Sequence, residues 1–277
     1  MVQFRALLSS ASRRLDRLLL LAVVPFLAAI ASPGNFERIA ADTSTIRLGV
    51  SFGFPSAVAT AWDFVSLPNP GTGFSVYTAG GDPLQGGVMI LGGAVLTGVL
   101  AAAYLGALRR DLLRAGGGVS DGLQHVLPLV AFELLVGLFG LTLVVLALVN
   151  LVLVVPALIV GLYLAYRFYP TPYLVVLEDR SLVDAFRRSY GLSARGGQYT
   201  NFFGKYLFAV AAVSLVATPL FTTSVFAAVL GTAVLAPICV LFNAATMLFL
   251  VDLIRSDAKG TDLPGGWDPD VAVRMAA

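Results

Sequence analysis

Apolar residues run along this chain in long blocks, and the polar breaks between the blocks set the architecture. A helix crossing a bilayer core needs about 20 mostly apolar residues at about 1.5 Å each, because lipid offers the backbone no hydrogen-bond partner. Measured this way, the sequence predicts six spans. The first runs from about Leu18 to Ala31, extended toward Leu15, and the second from about Gly87 to Leu108. Between Val126 and Tyr166 the only acidic or basic residue is Glu133. A continuous helix over that run would be about twice as long as the bilayer core is thick, so it has to fold back, and Asn150 near its middle is the expected turn. The uncharged stretch from Tyr206 to Val251 divides in the same way, with a turn between Thr222 and Thr232.

Two segments outside the spans have patterns of their own. Residues 32–85 are rich in Gly, Pro, Ser, Thr and aromatics. They predict a short strand at Ile46 to Phe54 and a short helix around Ser56 to Leu67, with Trp62, Phe64 and Tyr77 anchored at headgroup level. In residues 169–205, Pro170 and Pro172 are expected to stop the fourth helix. A new helix then begins at the capping pair Ser181 and Asp184, with Glu178 and Asp179 adding negative charge near its positive end. Leu182, Val183, Phe186 and Tyr190 fall on one face, with Arg180, Asp184, Arg187, Arg188 and Arg195 largely on the other. That pattern predicts an amphipathic helix lying at the membrane interface until Gly196-Gly197 releases the chain into the fifth span. The fold class is therefore all-α, with six transmembrane helices and one interfacial helix in a single domain over residues 1–256. Residues 257–277, with little apolar content, read as a disordered tail.

Charge adds orientation. Of the 18 basic residues, all but Arg38 and Arg47 lie before the first span, after the second, between the fourth and fifth, or after the sixth. Cytoplasmic flanks retain positive charge, so both termini and the 169–205 segment are placed in the cytoplasm and residues 32–85 outside, in the cytoplasmic membrane. The basic start, short apolar run and Ala29-Ile30-Ala31 also fit a cleavable signal peptide, which would leave the remaining spans with the same direction.

Composition narrows the function classes. The hydrophobic set makes up 58% of the chain and charged residues only 12%, with a mean hydropathy of +0.87. A globular protein carries about twice that charge. One Cys and one His leave no ligand set for a zinc site, and the low charge excludes nucleic acid as a partner. No HExxH, CxxC or GxSxG motif is present, a catalytic triad would have to use His125, and the Gly116-Gly117-Gly118 run lacks the Lys and spacing of a phosphate loop. The expectation is a non-enzymatic protein without cofactor, metal or catalytic residues.

Glu133 is the sharpest single candidate, because an ionisable group inside a membrane helix is costly and marks a functional site or a buried partner. If the hairpin turns at Asn150, Arg167 lies at a similar depth, and a structural Glu133–Arg167 pair is the first expectation, with a transport site the second. Gly137 and Gly140 on the Glu133 face would let another helix approach. Asn243, near Thr246 in the sixth span, is expected to hydrogen-bond between helices. Ala94, Gly98, Ala102 and Gly106 recur every fourth residue in the second span and form a ridge of small residues for close helix packing. Cys239 is expected to be a packing residue and His125 an interfacial one.

The stretch Pro172-Tyr-Leu-Val-Val-Leu-Glu-Asp-Arg-Ser-Leu-Val-Asp-Ala-Phe-Arg-Arg-Ser-Tyr-Gly-Leu192 resembles the central signature of a broad, poorly characterised group of prokaryotic, especially archaeal, multi-span membrane proteins. It is also distantly similar to the membrane domain attached to some glycerophosphodiester phosphodiesterases. In that group a proline-ended span leads into an acidic pair and a helix with an Ala, a basic residue and a Ser, here Glu178, Asp179, Ala185, Arg188 and Ser189. The resemblance implies the six-span layout and carries over no shared catalytic activity, and the phosphodiesterase catalytic domain is missing from this chain. The expected role is that of a scaffold, assembly or regulatory partner. Arg187, Arg188 and Arg195 would bind anionic headgroups of membrane lipids, and a protein partner or a homo-oligomer is the further expected contact. The alternative is a small-solute permease or channel using Glu133 and Asn243.

Overall fold

The computed structural model describes residues 4–42, 49–68, 83–113 and 119–259, and among them every regular element is helical. The α-helices are α1 (Phe4–Ser12), α2 (Leu15–Leu18), α3 (Val23–Ile30), α4 (Pro33–Ala41), α5 (Pro83–Leu113), α6 (Val119–Leu123), α7 (Val126–Val149), α8 (Val154–Phe168), α9 (Thr171–Leu177), α10 (Leu182–Ala194), α11 (Gln198–Phe221) and α12 (Val225–Lys259). Five stretches are long and apolar enough to cross a membrane: Leu91–Leu113, Val126–Leu143, Val154–Leu177, Gln198–Phe221 and Val225–Ser256. A sixth exists if Leu15–Ile30 and Pro33–Ala41, bent by 60° to each other, are one span. The first span expected from the sequence thus appears as α2, a 3₁₀ turn over Leu19–Ala22 and α3, followed by the bent α4. At about 24 Å, the Leu15–Ile30 run is shorter than a bilayer core of about 30 Å. The bend falls before Pro33, whose missing N–H suits the first turn of a new helix.

The central hairpin turns where expected. Helix α7 ends at Val149, Asn150 is its extended C-cap, and the Asn150 side chain accepts from the Val152 N–H at 2.9 Å before α8 begins. The α11–α12 turn occupies Thr222–Ser224, at the near end of the expected window. Helix α8 ends at Phe168, directly before Pro170, as expected, but the apolar stretch runs on past it. Tyr169 and Pro170 keep near-helical dihedrals, so α9 restarts after two residues and Val154–Leu177 reads as one 24-residue apolar stretch. Prolines in the first turn of α9 remove only N–H groups that have no intrahelical partner there.

Helix α12 is the axis of the bundle, and Ala244, Ala245, Met247, Leu248, Phe249 and Leu250 on it are all buried. Against it lie α1, α3, α4 and α11. Helix α1 is a core element: Leu7 and Ala11 are buried, and the Phe4 ring meets Phe202 edge-on at 5.6 Å and Phe242 at 6.3 Å. On the other side α5 packs along α7 and α6. The small-residue ridge of α5 is used there. A Cβ at Gly98 would sit 2.6 Å from the Val130 Cα, and one at Gly122 of α6 would sit 2.1 Å from the Ala102 carbonyl oxygen.

The most unexpected element is residues 49–67. The sequence reading placed this region outside the membrane with its aromatics at headgroup level, but the chain packs into the bundle instead. Ala57, Val58, Ala59, Ala61, Phe64 and Val65 are buried, and the only regular piece among the described residues 49–68 is the 3₁₀ turn Ala61–Asp63. No strand forms over residues 49–54, while residues 46–48 lie outside the described residues. Phe64 is not a headgroup anchor but packs edge-on against Phe242 at 5.0 Å, and the Trp62 Nε1–H donates to the Ala29 carbonyl at 2.9 Å. Tyr77 and Gly116-Gly117-Gly118 lie outside the described residues, as does the tail from residue 260, while Asp257–Lys259 continue α12.

Irregular backbone at membrane depth is tolerated only where protein groups satisfy it. Here α9, α11 and α12 supply them. The Ser51 N–H donates to Ser214 Oγ at 2.7 Å and the Ser66 N–H to Thr218 Oγ1 at 2.9 Å, so both arms of the segment are tied to α11. At the tip, the Tyr173 hydroxyl donates to the Ser56 carbonyl at 2.8 Å, and Asn243 Nδ2 donates to the Ala57 carbonyl at 2.9 Å and to that of Ser56 at 3.4 Å. Asn243 lies about 27 Å along α12 from Val225 and about 20 Å from Ser256, near the middle of the helix.

Candidate functional site

The residues singled out from the sequence divide into three places. Asn243 is buried on α12 as glue between a helix and the re-entrant tip, with Thr246 Oγ1 turned back onto the Phe242 carbonyl of its own helix. Cys239 is buried beside it.

Glu133 lines a cavity of about 430 Å³ bounded by α7, α8, α9, α10 and the re-entrant tip. Its walls are mainly aromatic and aliphatic, with Phe132 and Phe139 from α7, Phe168 from α8, Phe186 from α10 and Phe54 from the re-entrant segment. Helix α7 contributes two half-exposed side chains at the rim, Leu135 and Val136. Helix α8 comes close on the far side of the cavity, where a Cβ at Gly161 would sit 2.8 Å from the Phe139 ring. Gly140, expected to admit a neighbouring helix, faces open space.

The expected Glu133–Arg167 pair does not form. Although the hairpin turns at Asn150, the two side chains leave their helices in different directions. The Arg167 guanidinium sits over the Tyr163 ring at 5.1 Å, the Tyr190 ring at 5.0 Å and the Tyr166 ring at 5.9 Å, and its Nη1 donates to Ser193 Oγ at 3.4 Å. A guanidinium enclosed by tyrosine faces gains cation–π attraction in place of an ion pair. Among the described residues Glu133 has neither an ion pair nor a hydrogen bond.

The third place is the basic end of the bundle, where the signature-like stretch forms a latch. Arg109, at the end of α5, donates to the Val176 carbonyl at 2.7 Å and to Asp179 Oδ1 at 3.1 Å. His125 Nε2 meets the same Oδ1 at 3.1 Å, which joins the start of α7 to the α9–α10 corner. Asp179 holds a positive φ of 49°, a left-handed conformation that Asp and Asn tolerate better than other side chains. Partial burial alone would raise the Asp179 pKa, but the hydrogen bonds and charge of Arg109, with His125 adding to them, lower it below the usual carboxylate range. Glu178 pairs with Arg180 and lies 3.6 Å from Arg188.

That latch makes a prediction. A carboxylate with a lowered folded-state pKa contributes stability above its unfolded pKa of about 3.9, and loses it as the pH falls through the lower folded value. Asp179→Asn keeps the left-handed geometry and removes the charge. Its melting temperature in detergent should fall slightly below that of the native protein at pH 7, with the two curves converging below about pH 3. The effect should be roughly 1 kcal/mol or less, because the Asp179 side chain is 62% exposed.

Helix α10 begins as expected: Ser181 Oγ accepts from the Asp184 N–H at 3.3 Å and donates to Asp184 Oδ2 at 2.6 Å. It ends at Gly196 and Gly197, whose φ values of 64° and 60° favour glycine. Its packing face differs from the expected one. The buried residues are Ala185, Ser189, Leu192 and Ser193, and Ser189 Oγ donates to the Arg167 carbonyl at 2.7 Å. Val183 is 59% and Tyr190 48% exposed, and Phe186 turns toward Phe132 and Phe168. Small residues win this face because α8 and α9 approach closely there. Arg188 is correspondingly drawn inward to Glu178 and is 24% exposed, whereas Arg187 is 79% exposed and Arg195 is also exposed.

Sequence reasoning missed the Arg109–Asp179–His125 latch, whose partners lie 54 and 70 residues apart, and the burial of Asp252 near the end of α12. Asp252 could have been noticed, since it follows directly on the longest uncharged stretch. No protein-family model, curated protein or solved structure matches the chain.

Proposed function

We propose that this is a non-enzymatic six-span protein of the cytoplasmic membrane, with both termini cytoplasmic, that works as a scaffold, assembly or regulatory partner through its basic end. One observation carries the reading: α10 is fixed to the bundle by its small face and presents Val183, Arg187 and Arg195 outward. Apolar side chains beside arginines at the end of a membrane bundle suit contact with anionic headgroups. The resemblance of residues 172–192 to the signature of prokaryotic multi-span proteins fits a conformational role for that stretch, since Ala185 and Ser189 are its packing face and Arg188 is held by Glu178. The headgroup role is therefore assigned to Arg187 and Arg195, without Arg188.

A polar-solute permease has less support. Asn243 is engaged by the Ser56 and Ala57 carbonyls and does not line the Glu133 cavity, and that cavity is walled mainly by apolar groups. The test is a gentle-detergent purification of the tagged full-length protein, with mass spectrometry of the lipids and proteins that stay bound. The native protein should retain anionic lipid above its bulk proportion together with a stoichiometric protein partner. The double variant Arg187→Glu, Arg195→Glu should lose the lipid enrichment by several-fold, while Val183→Asp should lose the partner. A lone native protein carrying lipid in bulk proportion would overturn the reading.

A further inference from the structure

We propose that the cavity around Glu133 is a binding site for a lipophilic organic cation, entered sideways from the lipid phase. The inference does not rest on the reading of α10. Its first support is charge. Among the described residues Glu133 is the only acidic or basic one on the cavity lining, and it has no protein partner there because Arg167 is committed to three tyrosine rings and Ser193. An isolated carboxylate in apolar surroundings is costly, and a bound cation would offset that cost more directly than any neutral guest.

Size and wall chemistry narrow the guest further. A volume of about 430 Å³ falls within the range of ordinary small-molecule sites, typically about 300–1,000 Å³, and admits one compact drug-sized molecule. Phe54, Phe132, Phe139, Phe168 and Phe186 bring aromatic rings to the lining, and ring faces attract cations. Apart from the carboxylate the walls offer few polar groups, so a cation that needs many hydrogen bonds would leave them unmade. The fitting class is a tertiary or quaternary ammonium, or a phosphonium, with aromatic or aliphatic arms. The access route follows from the rim, where Leu135 is 48% and Val136 51% exposed on the outside of α7. A guest already partitioned into the bilayer meets those side chains before it meets the carboxylate.

The experiment uses purified full-length protein in dodecyl maltoside, with binding of tetraphenylphosphonium and of tetraphenylborate measured separately by equilibrium dialysis against protein-free micelles. The two ions have nearly the same shape and opposite charge. Tetraphenylphosphonium should bind saturably at about one site per chain, at least about tenfold more tightly than tetraphenylborate. Glu133→Gln should weaken it by about tenfold or more. Ala165→Phe, which adds a ring to the lining of α8, should remove binding altogether, and both variants should elute as the native protein does. Binding no greater than that of empty micelles, equal binding of the two ions, or a well-folded Glu133→Gln protein with native affinity would each overturn the proposal. Should a variant fail to fold, the comparison of the two ions on the native protein decides by itself.

Discussion

Replacing Gly98 with Ala should lower the thermal stability of the purified protein, while the same change at Gly92 or Gly93 of the same helix should leave it unchanged or raise it. The difference comes from what the added methyl meets. At Gly98 it would lie 2.6 Å from the Val130 Cα and 2.7 Å from the Val130 nitrogen, so the clash is with the backbone of α7 and no side chain can rotate away. Helices α5 and α7 would have to separate along their contact, and overpacking of this kind costs about 1–3 kcal/mol. At Gly92 and Gly93 an added Cβ meets nothing within 4 Å. Alanine there should bring the intrinsic helix advantage of roughly 0.5–1 kcal/mol. Melting curves followed by size exclusion in one detergent, for all three variants, check the pattern. A Gly98→Ala protein as stable as Gly92→Ala would mean that α5 and α7 do not approach as closely as Gly98 requires.

That ridge also shows how much the sequence could tell. Four small residues at every fourth position announced a close contact, and Gly98 makes one. Their spacing could not say which helix would arrive, because any neighbour satisfies the same periodicity. Spans and hairpin turns were legible for a simple reason: bilayer thickness fixes helix length, and Asn150 was the only strongly polar residue near the middle of its run. Helix α1 went unread, although Phe4, Leu7, Leu8 and Ala11 fall at helical spacing, because the arginines between and after them made the segment look like a basic flank rather than a core element.

The region least legible was residues 49–67. Its Gly, Pro and Ser content describes an irregular chain equally well outside the membrane or inside a bundle, and only its partners distinguish the two. Those partners, Ser214, Thr218, Tyr173 and Asn243, are single polar residues scattered over three helices, each looking on its own like ordinary helix-to-helix glue. The candidate site was hidden by the same circumstance. Half of what makes Glu133 lonely is the direction taken by Arg167, and nothing in the linear order of residues shows that Tyr190 and Ser193 of α10 will be there to hold it.

If the tip of the re-entrant segment is held as described, removing its two donors together should free it. Asn243→Leu alone is expected to cost about 1–3 kcal/mol, the usual penalty for stranding a buried acceptor, here the Ala57 carbonyl. The loss is moderated because Asn243 Oδ1, which has no hydrogen-bond partner among the described residues, leaves with the side chain. The Ser56 carbonyl would still be served by the Tyr173 hydroxyl at 2.8 Å. In the double variant Tyr173→Phe, Asn243→Leu both carbonyls at the tip lose their side-chain donors, and the penalties should reinforce each other because the two donors act on one short piece of backbone. The readout is access to Ala59, which is fully buried in the native fold. A cysteine introduced by Ala59→Cys should resist a membrane-impermeant maleimide in the otherwise native chain, with buried Cys239 silent, and should become several-fold more reactive in the double variant. The arms tied to Ser214 and Thr218 lie beyond the altered donors, so the tip should loosen while the ends stay attached. Unchanged protection of residue 59 in a folded double variant would mean that apolar packing of Ala57, Val58 and Phe64 alone seats the segment, with Asn243 a bystander to it.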